Sequence, residues 1–195
     1  MSTEIKPIAF IKTEFPEKFG IPRQSGLAKD LRGRIIFEPQ FRNPDALRGL
    51  EGFSHIWLIW EFSANRTNGS WQPLVRPPRL GGNAHMGVFA TRSPFRPNPI
   101  GLTSVKLVRV EESSEDGLIL IVTGADLLDG TPIYDIKPYL AFSDCHPEAK
   151  NGFAEATKDY QLAVEIDPKY QQEIMAQGCP WDELCEILSQ DPRPA

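Results

Sequence analysis

Apolar and β-branched residues recur over roughly the first 140 positions in short runs broken by glycine, proline and acidic turns. Runs of this length and composition predict strands at 8–11, 34–37, 56–62, 86–91, 105–110, 118–123 and 132–139. The run Ile56-Trp57-Leu58-Ile59-Trp60 is apolar on both faces, which predicts a central strand. Asp129-Gly130 falls between two strand runs and predicts a hairpin turn. Seven short strands without long helical crossovers favour an all-β barrel over a doubly wound sheet, and no G-x-G-x-x-G is present. The pattern changes after about Ser143. Asp167-Pro168 supplies an N-cap and a first-turn proline, and Gly178 a C-cap. A second helix starts near Pro180, with Trp181, Leu184, Cys185 and Leu188 on one stripe and Asp182 and Glu183 in its first turn. The expected architecture is one mainly β domain, a barrel over residues 1–142, with a short helical C-terminal extension over 143–195.

Proline modifies this picture. Pro73, Pro77, Pro78, Pro94, Pro97 and Pro99 make 71–84 and 93–99 stiff loops, and Gly81-Gly82 adds a tight bend. A stiff loop holding arginines is pre-organised for an anion. The net charge of −5 speaks against a generic nucleic-acid binder, but the charge is segregated. Residues 1–61 sum to +1, residues 62–110 to +7 without a single acid, and residues 111–195 to −13. Phosphate attraction acts within about 8–10 Å, so the local block matters more than the total. Read alone, the block is equally a solvated basic face balanced by an acidic helical one. Cys145, Cys179 and Cys185 are odd in number and lack metal-ligand spacing, which reads as reduced thiols in a cytoplasmic protein. No apolar run approaches a membrane span, and the N-terminus has no signal-peptide pattern.

Several segments carry candidate chemistry. Strand alternation predicts Ile133, Asp135, Lys137 and Tyr139 on one side of the last strand, with Tyr134 and Ile136 on the other. An acid, a base and a phenol then share a face; a surface ion pair is the bland alternative. The stretch 90–101 runs from a strand end into a loop with Arg92, Arg96, two hydroxyls and Asn98. Its Asn98-Pro99 lacks the aromatic that the Asn-Pro-Pro-aromatic motif of amino-methyltransferases requires. The loop 21–26 offers Arg23, Gln24 and Ser25. His55, His85 and His146 have no zinc-like spacing, so no metal site is expected; His55 reads as a core histidine. Cys145 and His146 are adjacent, so their side chains diverge and do not form a nucleophile pair. Trp71 and Phe95 are either base-stacking or core aromatics.

Taken in order, Pro22-Arg23-Gln24, the block 48–55, the block 75–83, the block 87–101 and the block 129–139 resemble the TsaA/TrmO family over about the first 140 residues. The final segment, 190–195, also resembles a family motif past which relatives continue, so the sequence reads as ending short of the family's full length. The resemblance implies a β-barrel methyltransferase that works as a homodimer with S-adenosylmethionine as cofactor. It implies a tRNA substrate bearing N6-threonylcarbamoyladenosine at position 37, immediately 3′ of the anticodon, and N6 methylation as the reaction. It further implies cofactor contacts at Pro22, Arg23 and Gln24, at Ser63 and Ala64, at Arg92 and Leu102, and at Thr123, Gly124, Ala125 and Asp126.

Methyl transfer to a purine N6 needs a hydrogen-bond acceptor for the departing proton, and Asp135 is the candidate, with Lys137 and Tyr139 orienting it or holding the base. The carboxylate of the threonylcarbamoyl group suits an arginine, and Arg76, Arg79, Arg92 and Arg96 are candidates for it, for the cofactor carboxylate or for phosphate. Two other readings use the same residues: a non-catalytic S-adenosylmethionine- or RNA-binding barrel, and a dimerisation module with a basic face.

Overall fold

Side-chain alternation along His55–Glu61 sets the architecture: Ile56, Leu58 and Trp60 are buried, while Trp57 and Ile59 are half-buried on the other face. A computed structural model describes residues 4–65, 70–80, 83–178 and 180–190. Arg66, the Gly81-Gly82 bend, Cys179 and residues 191–195 lie outside the described residues, as does the side chain of Arg79.

In chain order the strands are β1 (Ala9–Lys12), β2 (Arg32–Phe37), β3 (His55–Glu61), β4 (Leu74–Val75), β5 (Met86–Gly87), β6 (Ile100–Ser113), β7 (Gly117–Thr123) and β8 (Thr131–Pro138). Six of them pair antiparallel in the order β1-β2-β7-β6-β3-β8, and β8 pairs back onto β1, so the ring closes into a barrel. Closure leaves no unpaired edge among these six. The inner face is packed with Ile11, Ile35, Ile56, Leu58, Val105, Leu120, Val122 and Ile133, all almost completely buried. β4 and β5 form a separate two-stranded ribbon, which gives the proline-rich 71–84 segment a hydrogen-bonded base that its composition hid.

Three expectations are corrected. The strand at 86–91 stops at Gly87, because Val88–Ala90 closes a 3-10 turn in which Thr91 N–H donates to Val88 O. Asp129-Gly130 is not a hairpin, since β7 and β8 do not pair; Gly130, at φ 74°, closes a turn in which Thr131 N–H donates to Leu128 O. The hairpin is β6–β7, where Ser113 faces Gly117 and Gly117 takes φ 70°. His55 is exposed rather than core, its Nδ1 2.9 Å from Ser54 Oγ.

Gly101 is needed for packing. A Cβ there would lie 2.2 Å from Trp60 Cε2, on the inner face where the indole crosses β6. Gly101→Ala is therefore expected to cost about 1–3 kcal/mol by overpacking, read as a drop of several degrees in Tm by calorimetry; an unchanged Tm would remove the packing argument.

Beyond β8 the described residues return to the body of the chain at two places, where Trp57 Nε1 donates to Asp144 Oδ2 at 2.9 Å and where Ile187 packs. Helix α1 (Ala141–Asp144) follows β8, and α2 (Pro168–Ala176) starts at Asp167, whose side chain accepts from Lys169 N–H at 2.8 Å. Helix α3 (Trp181–Ser189) sets Ile187 against the buried cluster of Phe15, Ala28 and Leu31, on which Ile21 also packs. Among the described residues no helix is long and apolar enough to cross a membrane.

Candidate functional site

Antiparallel pairing decides which loops meet. Trp60 faces Ile133, Glu61 faces Ile100, Arg32 faces Thr123, and Ile11 faces Thr131. The starts of β2, β6 and β8 and the ends of β1, β3 and β7 therefore lie on one rim. The segments holding Pro22, Arg23 and Gln24, Ser63 and Ala64, Arg92, and Thr123 to Asp126 all adjoin that rim.

Hydrogen bonds join these segments. Arg92 Nη1 donates to Gln24 Oε1, and Gln24 Nε2 donates to Arg23 O at 2.7 Å. Gly26 N–H donates to Gly124 O at 3.0 Å, and Gly124 N–H to Leu31 O at 3.0 Å. Gly124 takes φ 78°, and a Cβ on it would stand 3.3 Å from Gly26 Cα, so glycine permits the close approach. Lys18 Nζ donates to Asn65 Oδ1, tying the 14–20 loop to the turn Ser63–Asn65. Pro22 is buried, Ala125 is buried, and Gln24, Ala64 and Arg92 face solvent.

Asp126 is the electrostatic centre of the rim. Trp60 Nε1 donates to Thr103 Oγ1 at 3.0 Å, and the buried Thr103 hydroxyl donates to Asp126 Oδ1 at 2.9 Å. Burial pushes the Asp126 carboxyl above its ordinary range, against the opposing pull of Thr103, backbone N–H groups and the Arg92 charge. A carboxyl raised on folding supplies stability that is full below its unfolded pKa and lost as pH rises through the folded value. Asp126→Asn keeps an oxygen for Thr103 and removes the buried charge. The variant is expected to melt higher than the parent at about pH 8 and to differ less at about pH 4; thermal melts at the two pH values check the sign.

The structure divides the expected polar face of β8. A bulge at Tyr134 shifts the pairing, so that Asp135 faces Ile59 while Ile133 faces Trp60. Ile133 thereby points into the core and does not share a face with Asp135, a correction that period-2 counting could not anticipate. Asp135 and Lys137 form an ion pair at 2.9 Å, both well exposed. Tyr139 stays on their outer face, since Trp57, whose ring it meets at 5.5 Å, pairs with Lys137, but it stands outside the ion pair, four residues or about 13 Å beyond Asp135 and edge-on to His55. Burial and the neighbouring Cys145 push its phenol up. Leu102 is exposed on the outer face of β6, and Ile59 pairs with both Leu102 and Asp135. Leu102 and Asp135 thus share one row, two strand spacings or about 10 Å apart.

The arginines separate by role. Arg96 Nη1 donates to Val88 O at 3.2 Å and to Thr91 O at 2.7 Å, so it braces the loop rather than standing free for an anion. Arg76 is exposed, with Nε donating to His85 Nε2 at 3.3 Å. Phe95 is half-buried, whereas Trp71 is exposed. Sequence reasoning missed Glu61 and Tyr134. The Tyr134 hydroxyl donates to Glu61 Oε2 at the rim, and burial followed by that carboxylate pushes Tyr134 up to about 12. Only the bulge brings them together, and no motif announces it.

A family model described as the tRNA-methyltransferase O N-terminal domain matches residues 10–145. Over its whole length the chain is 43% identical to the tRNA (adenine(37)-N6)-methyltransferase of Escherichia coli strain K12, of which it covers 83%. It is 44% identical to RcsF of Pseudomonas aeruginosa, a putative S-adenosylmethionine-dependent methyltransferase, again over the whole chain and 84% of that protein. A crystal structure of TrmO from Pseudomonas aeruginosa matches with a TM-score of 0.73 at 38% identity, over the whole chain and 83% of that one.

Proposed function

The chain belongs to the tRNA-methyltransferase O N-terminal domain family, and from that premise we propose how its rim residues share the reaction. The protein is an S-adenosylmethionine-dependent tRNA (adenine-N6)-methyltransferase acting at adenine 37, next to the anticodon. The observation that carries the site assignment is the meeting of four separate loops on one rim around Asp126 and Arg92.

The rim residues fit the cofactor. Arg92 presents a guanidinium suited to a carboxylate, and Asp126 a carboxylate suited to an ammonium or to ribose hydroxyls. Backbone groups of Thr123, Gly124 and Ala125 are placed to read an adenine edge. Pro22, Arg23 and Gln24 wall one side, Ser63 and Ala64 another, and Leu102 offers an apolar contact. When bound, S-adenosylmethionine supplies a methyl group on a sulfonium, open to in-line displacement. The chain's part is to align, to exclude water and to accept the N6 proton. Asp135 carries out the last step. Its Oδ2 is held by Lys137, its Oδ1 accepts from Ile136 N–H, and it shares the outer-face row with Leu102. Lys137 orients Asp135, and Tyr139, farther down the strand, packs with Trp57 to shape the base-facing side.

The substrate is adenine 37 already carrying the threonylcarbamoyl group. Arg76 supports this reading: it is exposed, fixed between β4 and Pro77-Pro78, and matched to a carboxylate. The outer apolar residues Ile59, Ile100 and Leu102 support a homodimer in which the partner covers that side. Residues 1–142 form the TsaA-like barrel, and 143–195 form an extension that packs on it through Ile187. The enzyme works in the cytoplasm, beside its tRNA. Incubation with methyl-labelled cofactor and tRNA with or without the threonylcarbamoyl group tests the reading. Label in the modified tRNA alone is expected. Label in both would remove the substrate assignment, and label in neither would remove the activity.

A further inference from the structure

We propose that Trp71 and Phe89 form a stacking platform for a nucleotide adjoining the target adenine in the anticodon loop. The proposal rests on the tRNA reading above and deepens it. Both rings are exposed, Trp71 by 45% and Phe89 by 72%. Their planes lie within 23° of parallel, with centroids 6.0 Å apart. Two large rings left in water at the same place cost apolar exposure that nothing among the described residues recovers.

The pair is held rigidly. Phe89 sits in the 3-10 turn between the buried Val88 and Ala90, and Val88 N–H donates to Pro73 O at 3.0 Å. Trp71 precedes Gln72, whose N–H donates to Phe95 O at 3.2 Å. The Arg96 guanidinium lies 5.8 Å from the Phe89 centroid, braced by the Val88 and Thr91 carbonyls. Three residues after Phe89 comes Arg92, which reaches Gln24 on the rim. The platform therefore borders the site through one short, braced segment.

Charge selects the occupant. Arg96 stands beside Phe89, and Arg76 and Arg92 lie on the same two braced segments, so this basic block attracts a phosphate backbone. A second copy of the chain docked symmetrically here would set this basic block against itself. Nucleotides of a single-stranded loop offer free π-faces, and those beside an adenine turned into an active site lose a stacking neighbour. Trp71 and Phe89 replace that neighbour.

Trp71→Ala and Phe89→Ala are expected each to lower kcat/KM for tRNA by about 5- to 150-fold. The change should fall mainly in KM, with cofactor affinity unchanged by calorimetry. Trp71→Phe and Phe89→Tyr should restore most of the loss. An anticodon stem-loop with 2-aminopurine on either side of the target should be quenched by the parent protein and not by the alanine variants. Unchanged kcat/KM and unchanged quenching would overturn the platform. So would an altered oligomeric state of the variants by light scattering, which would make the face an interface between copies. A parent protein that quenches the probe yet methylates no tRNA would leave the platform standing and remove the catalytic reading instead.

Discussion

Asp135→Asn is expected to lower kcat about 100-fold while cofactor affinity stays at the parent value. A positioned proton acceptor contributes about 10²- to 10⁴-fold, and the lower figure suits a ureido N6–H already acidified by the adjoining carbonyl. Asparagine preserves size and the oxygen that accepts from Ile136 N–H, so the strand should not shift. What disappears is the negative charge that pairs with Lys137 and takes the N6 proton. The pair is exposed, so its loss should barely move the melting temperature. Single-turnover methylation, set beside calorimetric titration of the cofactor, separates the two effects. Full turnover with normal binding would mean that the acceptor lies elsewhere, with Glu61 beside Tyr134 next in line at the same rim.

Arg92→Ala should show the opposite division, weakening cofactor binding by about 10- to 100-fold. The side chain ties the 22–24 loop to the proline loop through Gln24, and its charge opposes the upward push of burial on Asp126. Without it the loop loses its anchor, and the Asp126 carboxyl rises further and holds its proton to higher pH. Affinity in the variant should therefore recover in part as pH is raised, over a range displaced upward from the parent's. Arg92→Lys keeps the charge but not the planar fork, and should fall between the two. Isothermal titration over a pH series checks the slope; equal affinity for parent and alanine variant would exclude Arg92 from the cofactor site.

Much of the strand plan was legible in the sequence, because inward residues alternate along β3 and β6 and solvent-facing ones fill the gaps. The extension was legible for a different reason: Asp167-Pro168 and Gly178 mark helix ends through backbone chemistry that needs no tertiary context. The bulge at Tyr134 was not legible. One extra residue changes the phase of β8, and the cause is its two partners, β1 and β3, not its own composition. The same limit hid the ribbon of β4 and β5, whose two-residue strands are too short to show a period. Arg96 looked like a free anion ligand because two backbone carbonyls that capture it are invisible in a residue pattern. Phe89, read as part of a strand, gave no sign of exposure until the 3-10 turn lifted it into solvent.

The apolar floor of the 15–31 loop is shared with Ile187 of α3, and nearly the whole barrel lies between the two in sequence. A chain leaving the ribosome can close its six strands before α3 has emerged, but the floor beneath Pro22 to Gln24 is completed only afterwards. Binding competence thus follows barrel closure during synthesis, and a nascent chain presents a finished scaffold before it presents a finished cofactor loop.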